Sequence, residues 1–191
     1  MAAEIKIRSA EMRDMKDVFA LSNEKTVREN SIHPEKITWD GHVKWFSEMV
    51  ANPNCRFYIV ETVNGDFAGQ VRFQKNDACW IVSISVVAGF RGKGIAKGAL
   101  KMAMTLSRLP RITAIIKEDN FSSLCLFRSC GFVCKKSLRI CGTDFKELEF
   151  AEKVSGAAAK ERVAETGKLK VCFADSEKIV KVKGGSLRDG R

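Results

Sequence analysis

One stretch decides the fold of this chain: Ile81–Leu106 has the sequence IVSISVVAGFRGKGIAKGALKMAMTL. Its first seven residues are apolar or small, a pattern that predicts a buried strand. A turn of glycines and cations follows, and helical sequence begins after it. The first turn of a helix has unpartnered N–H groups and carries the positive end of the helix dipole. The stretch is therefore a candidate phosphate-binding device.

The spacing within the turn narrows the kind of phosphate site. The turn reads Arg91-Gly92-Lys93-Gly94-Ile95-Ala96, where the glycines clear a path to the backbone donors and the cations add charge. It does not match a Walker loop, and Lys97 stands where a Rossmann turn needs its third glycine. It does match the pattern Arg/Gln-x-x-Gly-x-Gly/Ala. A glycine turn that binds nothing is the alternative at this point.

A second motif follows the next predicted strand, Ile112–Ile116. It reads Asn120-Phe121-Ser122-Ser123-Leu124-Cys125-Leu126-Phe127-Arg128-Ser129-Cys130-Gly131-Phe132. Asn120 is placed to cap a helix, and Gly131 is placed to end it with a positive φ. The strand and the motif after it predict a second strand–helix unit beside the first.

Together the two motifs resemble the GNAT superfamily of acyl-CoA-dependent N-acyltransferases, whose second motif is Asn-x-x-Ser/Ala-x-x-Leu-Tyr/Phe-x-x-x-Gly-Phe. The resemblance covers about residues 5–150 and implies an α+β, three-layer fold. Its central sheet would be mixed and mainly antiparallel, with six to seven strands, flanking helices and a splay at the cofactor site. The element order predicted along the chain, β-α-α-β-β-β-α-β-α-β-β, agrees with this fold. Acetyl-CoA is the implied co-substrate.

The resemblance also implies which residues contact the cofactor. Backbone amides of the glycine turn would hold the pyrophosphate, and the end of the preceding strand would pair with pantetheine and offer an N–H to the thioester carbonyl. Residues at the start of the second helix would face pantetheine or the phosphates. The implied cofactor residues are Val86, Val87, Arg91, Gly92, Lys93, Gly94, Ile95, Ala96, Asn120, Ser123 and Phe127.

One departure from the family concerns Phe127, which stands where many members carry a tyrosine that protonates the leaving thiolate. Phenylalanine cannot donate a proton. Ser129, Cys130, a water or solvent could replace it, and a non-catalytic acyl-CoA sensor is a further alternative. Glu61, Glu29 or a water chain could act as general base. The sequence assigns no catalytic residue.

The acceptor side resembles a narrower branch, the amino-sugar N-acetyltransferases of pseudaminic acid-type glycan synthesis. The resemblance rests on Asn23–Ser31, Ile37–Phe46 and Gly69–Phe73. It implies a nucleotide-activated amino sugar as the acceptor. A protein or ribosomal N-terminal acetyltransferase is the alternative.

Arginines are suited to a sugar diphosphate and polar side chains to its hydroxyls. The candidate substrate residues are Arg28, Asn30, His42, Gln70 and Arg72. His42 is also interpretable as a buried core histidine, and Arg72 as a residue on a solvated face. Gln70 and Arg72 have the same strand parity, so they should share one side of the sheet.

Length and composition limit the remaining possibilities. The chain has 191 residues, 45% hydrophobic and 29% charged, as expected for a soluble globular protein. We expect an acyltransferase domain over 1–150 and a basic extension over 151–191 that is partly helical or flexible, either loosely attached or part of a homodimer. The net charge of +10 suits coenzyme A or a nucleotide-linked substrate. We expect no nucleic-acid partner, no membrane, no metal and a cytoplasmic location with reduced cysteines.

Overall fold

A computed structural model of the chain describes residues 4–77 and 79–151. Beyond them it describes only two backbone segments, Lys170–Val171 and Val180–Lys181, which pair antiparallel. The sequence of the extension has weak strand character over 169–173 and 178–183, and these segments fall within those two stretches. The predicted helical and flexible parts of the extension lie outside the described residues.

Seven strands form one sheet, in the order β1-β2-β3-β4-β5-β7-β6. All neighbours pair antiparallel except β4 and β5, which run parallel. The predicted mixed, mainly antiparallel sheet of six to seven strands is confirmed. The strands are β1 Ile5–Ser9, β2 Cys55–Thr62, β3 Phe67–Asn76, β4 Cys79–Val86, β5 Arg111–Lys117, β6 Val133–Ile140 and β7 Thr143–Ala151.

The helices follow the sequence signals closely. The amphipathic pattern predicts a helix over Trp39–Ala51, and the third helix has these bounds; it begins after Thr38, whose hydroxyl accepts the Gly41 N–H at 3.3 Å. The spacing of apolar residues also predicts one helix over 11–22. The structure has there a 3-10 turn, Met12–Asp14, in which the Asp14 carboxylate accepts the Glu11 N–H at 2.8 Å, followed by a shorter α-helix. The α-helices are α1 Met15–Ser22, α2 Lys25–Glu29, α3 Trp39–Ala51, α4 Ile95–Ser107 and α5 Phe121–Ser129.

Helices cover both faces of the sheet, which gives the three layers. Ile59 and Val60 are both fully buried although neighbouring strand residues point to opposite faces. Ile59 packs in a cluster with Phe46 of α3, and Val60 packs in a cluster with Leu100 of α4. Each face of the sheet therefore has its own apolar core.

The sheet opens between its two parallel strands. β4 and β5 pair only at Trp80–Ile112 and Ile81–Thr113. The remainder of β4, up to Val86, and of β5, up to Lys117, has no partner across this gap. The predicted splay is confirmed, and it leaves main-chain hydrogen-bonding groups exposed along both sides of a wedge.

Candidate functional site

The wedge opens into a cavity with a volume of about 920 Å³. The ends of β4 and β5 and the first turns of α4 and α5 line one half. The polar side of β3, α2 and the loop after it line the other half. We call these the cofactor half and the acceptor half. A cavity of this size accommodates an extended ligand together with a second small molecule.

The glycine turn of the cofactor half has the geometry of an anion cradle. Gly92 has φ +75° and Gly94, the N-cap of α4, has φ +79°, conformations that favour glycine. A Cβ at either position would meet no atom within 4 Å, so the space above the turn is open. Within residues 4–77 and 79–151, the backbone N–H groups of 92–97 donate to no protein acceptor. The turn therefore fits a pyrophosphate.

The two cations of the turn are engaged within the protein. Arg91 donates from Nε to the Val86 carbonyl at 2.7 Å and from Nη1 to Thr26 Oγ1 at 2.8 Å. Its Nη2 pairs with the carboxylate of Glu24. Lys93 Nζ donates to the Gly89 carbonyl at 2.8 Å. Each cation therefore uses part of its donors within the protein, whereas the backbone N–H groups of 92–97 donate to no acceptor in the described ranges.

The edge of β4 supplies further donors. The Val87 N–H donates to the Ala68 carbonyl at 2.9 Å, so it is already used by β3. Because hydrogen-bonded and non-hydrogen-bonded pairs alternate in an antiparallel ladder, the N–H groups of Val86 and Ile84 point away from β3, into the wedge. The Val86 N–H, which is predicted to contact the cofactor, is therefore directed into the wedge, and the contact itself stays a prediction. The Ile84 N–H has the same orientation, which only the strand register reveals.

The start of α5 forms the opposite side of the cofactor half. Asn120 Oδ1 accepts the Ser123 N–H at 3.1 Å, so Asn120 caps the helix as predicted, and both residues line the cavity. Phe127 also lines it, with its ring packed edge-on against Phe132 at 4.9 Å between centroids. The Ser129 hydroxyl donates to the Leu126 carbonyl at 2.8 Å. Cys130 is buried and does not line the cavity.

Arg28 and Asn30 line the acceptor half but also hold the loop after α2. Arg28 Nη2 donates to Ser31 Oγ at 2.9 Å, and its Nη1 lies 3.3 Å from the His33 carbonyl and 3.2 Å from the Glu35 carbonyl. Asn30 Nδ2 donates to the Thr26 carbonyl at 2.8 Å. These two side chains therefore fix the shape of one wall.

Gln70 and Arg72 share the cavity side of β3, as strand parity predicts. The Arg72 guanidinium lies 4.8 Å from the centre of the Trp45 ring. Its Nε and the Gln70 Oε1 are buried, and within the described part of the chain neither makes a hydrogen bond. Burial lowers the pKa of Arg72, although an arginine keeps its charge. The acceptor half thus holds a half-buried cation beside a buried amide oxygen, each with an unused hydrogen-bonding atom.

His42 is not brought to the cavity. Its side chain is 1% exposed, and Nε2 lies 3.0 Å from the Met15 carbonyl oxygen. Four aromatic rings pack around it: those of Phe19, Trp39, Trp45 and Phe46. His42 is therefore a buried core histidine, which was the alternative interpretation of this residue, and not a residue of the cavity.

Neither carboxylate considered as a general base lies in the cavity lining. Glu61 accepts from Arg8 Nε at 2.8 Å, and Glu29 pairs with Lys25 at 3.9 Å. Among the described residues the lining contains no Asp or Glu. The lining does contain His33, which the sequence did not single out because the residue before a proline, here Pro34, indicates only the end of a helix.

The cations of the lining set its charge. They are Arg28, Arg72, Lys75, Arg91 and Lys97. In the same ranges, 4–77 and 79–151, no cluster of three or more His, Cys, Asp or Glu side chains could hold a metal ion. No helix among these residues is long and apolar enough to span a membrane.

Comparison with solved structures finds the same fold in N-acetyltransferases. A spermidine N-acetyltransferase from Vibrio cholerae, in complex with CoA and spermine, has a TM-score of 0.68 and 21% identity, over 78% of this chain and 96% of that one. A protein assigned as a phosphinothricin N-acetyltransferase has a TM-score of 0.67 and 25% identity, over 78% and 98%. A dodecameric structure of the Vibrio enzyme in an intermediate state has a TM-score of 0.64 and 19% identity, over 78% and 94%.

Comparison with curated proteins finds no match. The sequence model of the acetyltransferase (GNAT) domain, however, matches residues 4–133, which is most of the sheet and both motif helices. The splayed sheet and the glycine turn agree with this match. The chain belongs to the GNAT acetyltransferase family and is an acetyl-CoA-dependent N-acetyltransferase.

Proposed function

We propose that this enzyme acetylates the amine of a small, negatively charged acceptor, a nucleotide-activated amino sugar. The observation that carries the proposal is Arg72, a half-buried cation whose Nε is buried without a hydrogen-bond partner and which has no carboxylate beside it among the described residues. A partly desolvated charge without a counter-charge is costly, and an anionic ligand reduces that cost. The Gln70 oxygen beside it would accept from a sugar hydroxyl or amine.

The charge of the cavity also argues against a polycationic acceptor. Spermidine would enter a lining with five cations and no carboxylate in the described residues. Like charges in a partly desolvated site repel strongly. The similarity to the Vibrio spermidine enzyme is therefore taken as a similarity of fold, and the acceptor is expected to differ.

In this proposal, acetyl-CoA lies along the cofactor half. The backbone N–H groups of 92–97 hold its pyrophosphate, and those of Ile84 and Val86 pair with the pantetheine arm and the thioester carbonyl. Asn120 and Ser123 line its path at the start of α5. Arg91 and Lys93 hold the shape of the turn through the contacts that they make within the protein, and Val87 holds the strand end through its bond to Ala68.

The transfer itself needs a neutral amine and a stabilised leaving group. The amine nitrogen bonds to the acetyl carbon, the carbon–sulfur bond breaks, and the amine proton leaves to a base. We propose His33 as that base, directly or through a water, because it is the imidazole of the lining. The thiolate takes its proton from solvent, since Phe127 has none to give.

An acceptor panel tests the function. Thiol release from acetyl-CoA is measured with UDP-4-amino-sugars, spermidine, ribosomal proteins and no acceptor. We expect turnover with the amino sugars. Preferred turnover of spermidine or of a protein would overturn the proposal, and CoA binding without turnover of any acceptor would identify a sensor.

A variant of Arg72 tests whether this side chain binds the acceptor. Arg72→Met should raise the acceptor KM about 30-fold, the loss of one charge-assisted contact of about 2 kcal/mol, and leave the KM of acetyl-CoA unchanged. Arg56→Met is the matched control, because Arg56 lies 5.6 Å from the Trp80 ring but outside the cavity. An equal effect of both substitutions would contradict the assignment of Arg72.

A further inference from the structure

Arg91 connects the cofactor half to the acceptor half. Its three hydrogen-bonding nitrogens reach two distant parts of the chain: Nε contacts the Val86 carbonyl, and the two Nη atoms contact Thr26 and Glu24. Val86 ends the strand whose free N–H faces the wedge. Glu24 and Thr26 form the start of α2, the acceptor wall. One planar guanidinium therefore fixes the distance between the two substrate sites.

We propose that Arg91 is a positioning residue that couples acetyl-CoA binding to the placement of the acceptor wall. The same side chain holds the strand end and the first residues of α2, so a cofactor that orders the phosphate turn also orders α2. By linkage, a well-placed α2 in turn favours cofactor binding. The proposal rests on the family's use of acetyl-CoA and is independent of which acceptor is used.

The contact at Glu24 separates this role from direct phosphate binding. If Arg91 were a phosphate ligand, Glu24 would compete for its guanidinium, and removing the Glu24 charge would strengthen CoA binding. If Arg91 is a positioning residue, removing the Glu24 charge loosens the connection and weakens CoA binding. The two roles predict opposite signs. Glu24 does not line the cavity, so the substitution removes no direct contact with CoA.

The experiment measures CoA affinity by calorimetry in four variants. Glu24→Gln and Arg91→Lys should each weaken CoA binding about tenfold, which is the size of a coupling energy within one hydrogen-bond network. In Arg91→Lys the charge is kept, but lysine cannot make the three contacts of the guanidinium. The double variant should bind no more weakly than either single one. Glu29→Gln is the control, because Glu29 is in the same helix and its ion pair with Lys25 is exposed. Unchanged or tighter binding in Glu24→Gln, or additive losses in the double variant, would overturn the proposal.

Hydrogen exchange supplies a readout that direct phosphate binding would not change. In the unsubstituted protein, bound CoA should slow amide exchange over residues 24–31. In Glu24→Gln this protection should be lost, while the melting temperature should stay the same as that of the unsubstituted protein. If Glu24→Gln fails to fold, Thr26→Val removes the second contact and carries the same test. Protection that persists in a folded variant would refute the coupling.

Discussion

The two halves of the cavity offer different kinds of groups to a ligand. In the cofactor half these groups are backbone amides, at the glycine turn and along the edge of β4. In the acceptor half they are side chains, Arg72 and Gln70 on β3 with Trp45 above them from α3. Backbone recognition requires a local conformation, which a short motif encodes. Side-chain recognition requires several elements to meet, which no short motif encodes.

The largest effect is expected where a side chain is added to the backbone cradle. Gly94→Trp should weaken CoA binding by at least about 1,000-fold, or about 4 kcal/mol, because its side chain occupies the open space above the turn. Gly142→Trp is the matched control, with the same φ of +79° and the same open surroundings in the β6–β7 turn. Calorimetry with CoA checks both. Similar affinities in the two variants would show that the cradle is not the phosphate site.

The wall of the cavity that β3 and β4 form together depends on close packing of these two strands. A Cβ at Gly69 would lie 2.4 Å from the Ser85 carbonyl oxygen and 3.1 Å from the Val86 Cα, both of them backbone atoms. Gly69→Ala should therefore lower the free energy of unfolding by about 3 kcal/mol, measured by urea denaturation. Gly89→Ala, where a Cβ meets nothing within 4 Å, should change it little. An unchanged stability in Gly69→Ala would mean that the strands can separate without cost.

Asp14, unlike Arg72, is a charged group that is paired within the protein, and its ion pair with Arg8 should stabilise the folded state. Asp14 receives two hydrogen bonds of 2.7 Å from Arg8. Burial raises the pKa of Asp14, but the bonds from Arg8 and the Glu11 N–H outweigh it and lower the pKa below its ordinary value of 3.8. A lowered pKa in the folded state means that the stabilisation is complete above about pH 4 and disappears as the pH falls through the folded value.

Asp14→Asn should accordingly cost about 2 kcal/mol of unfolding free energy at pH 7 and progressively less as the pH is lowered below 4. Denaturation curves at several pH values measure this difference. Glu11→Gln is the control, because Glu11 pairs with Arg13 at the exposed surface. A cost for Asp14→Asn that is independent of pH would refute the ionic origin.

The smallest effect is expected from removing a cation of the turn itself. Lys93 Nζ donates to the Gly89 carbonyl and lies 5.6 Å from the Phe90 ring centroid. Lys93→Met should therefore weaken CoA binding less than about threefold, the contribution of a screened surface charge. A loss comparable to that of Gly94→Trp would show that side chains, and not the backbone, hold the phosphates.

Much of the fold and of the cofactor half could be predicted from the sequence. The bounds of α3, the Asn120 cap and the positive φ of Gly131 at +92° all agree with it. These three features depend on residues close together in the chain, where turn, cap and strand chemistry act locally. The shared orientation of Gln70 and Arg72 also has a local origin, because side chains two residues apart on a strand point to the same face of the sheet. The splay beside β4 was implied only by the resemblance to the family.

What the sequence by itself determined is the conformation of the glycine turn and the cap of α5, because glycine conformation and helix capping are local properties. Only the tertiary structure decided where the side chains act. It turned Arg91 toward Glu24, buried His42 among aromatic rings, and brought Trp45 over Arg72. It also placed Glu61 beside Arg8 and His33 in the cavity lining. Each of these contacts joins elements that are distant in sequence, and their relative placement is fixed by the packing of helices on the sheet.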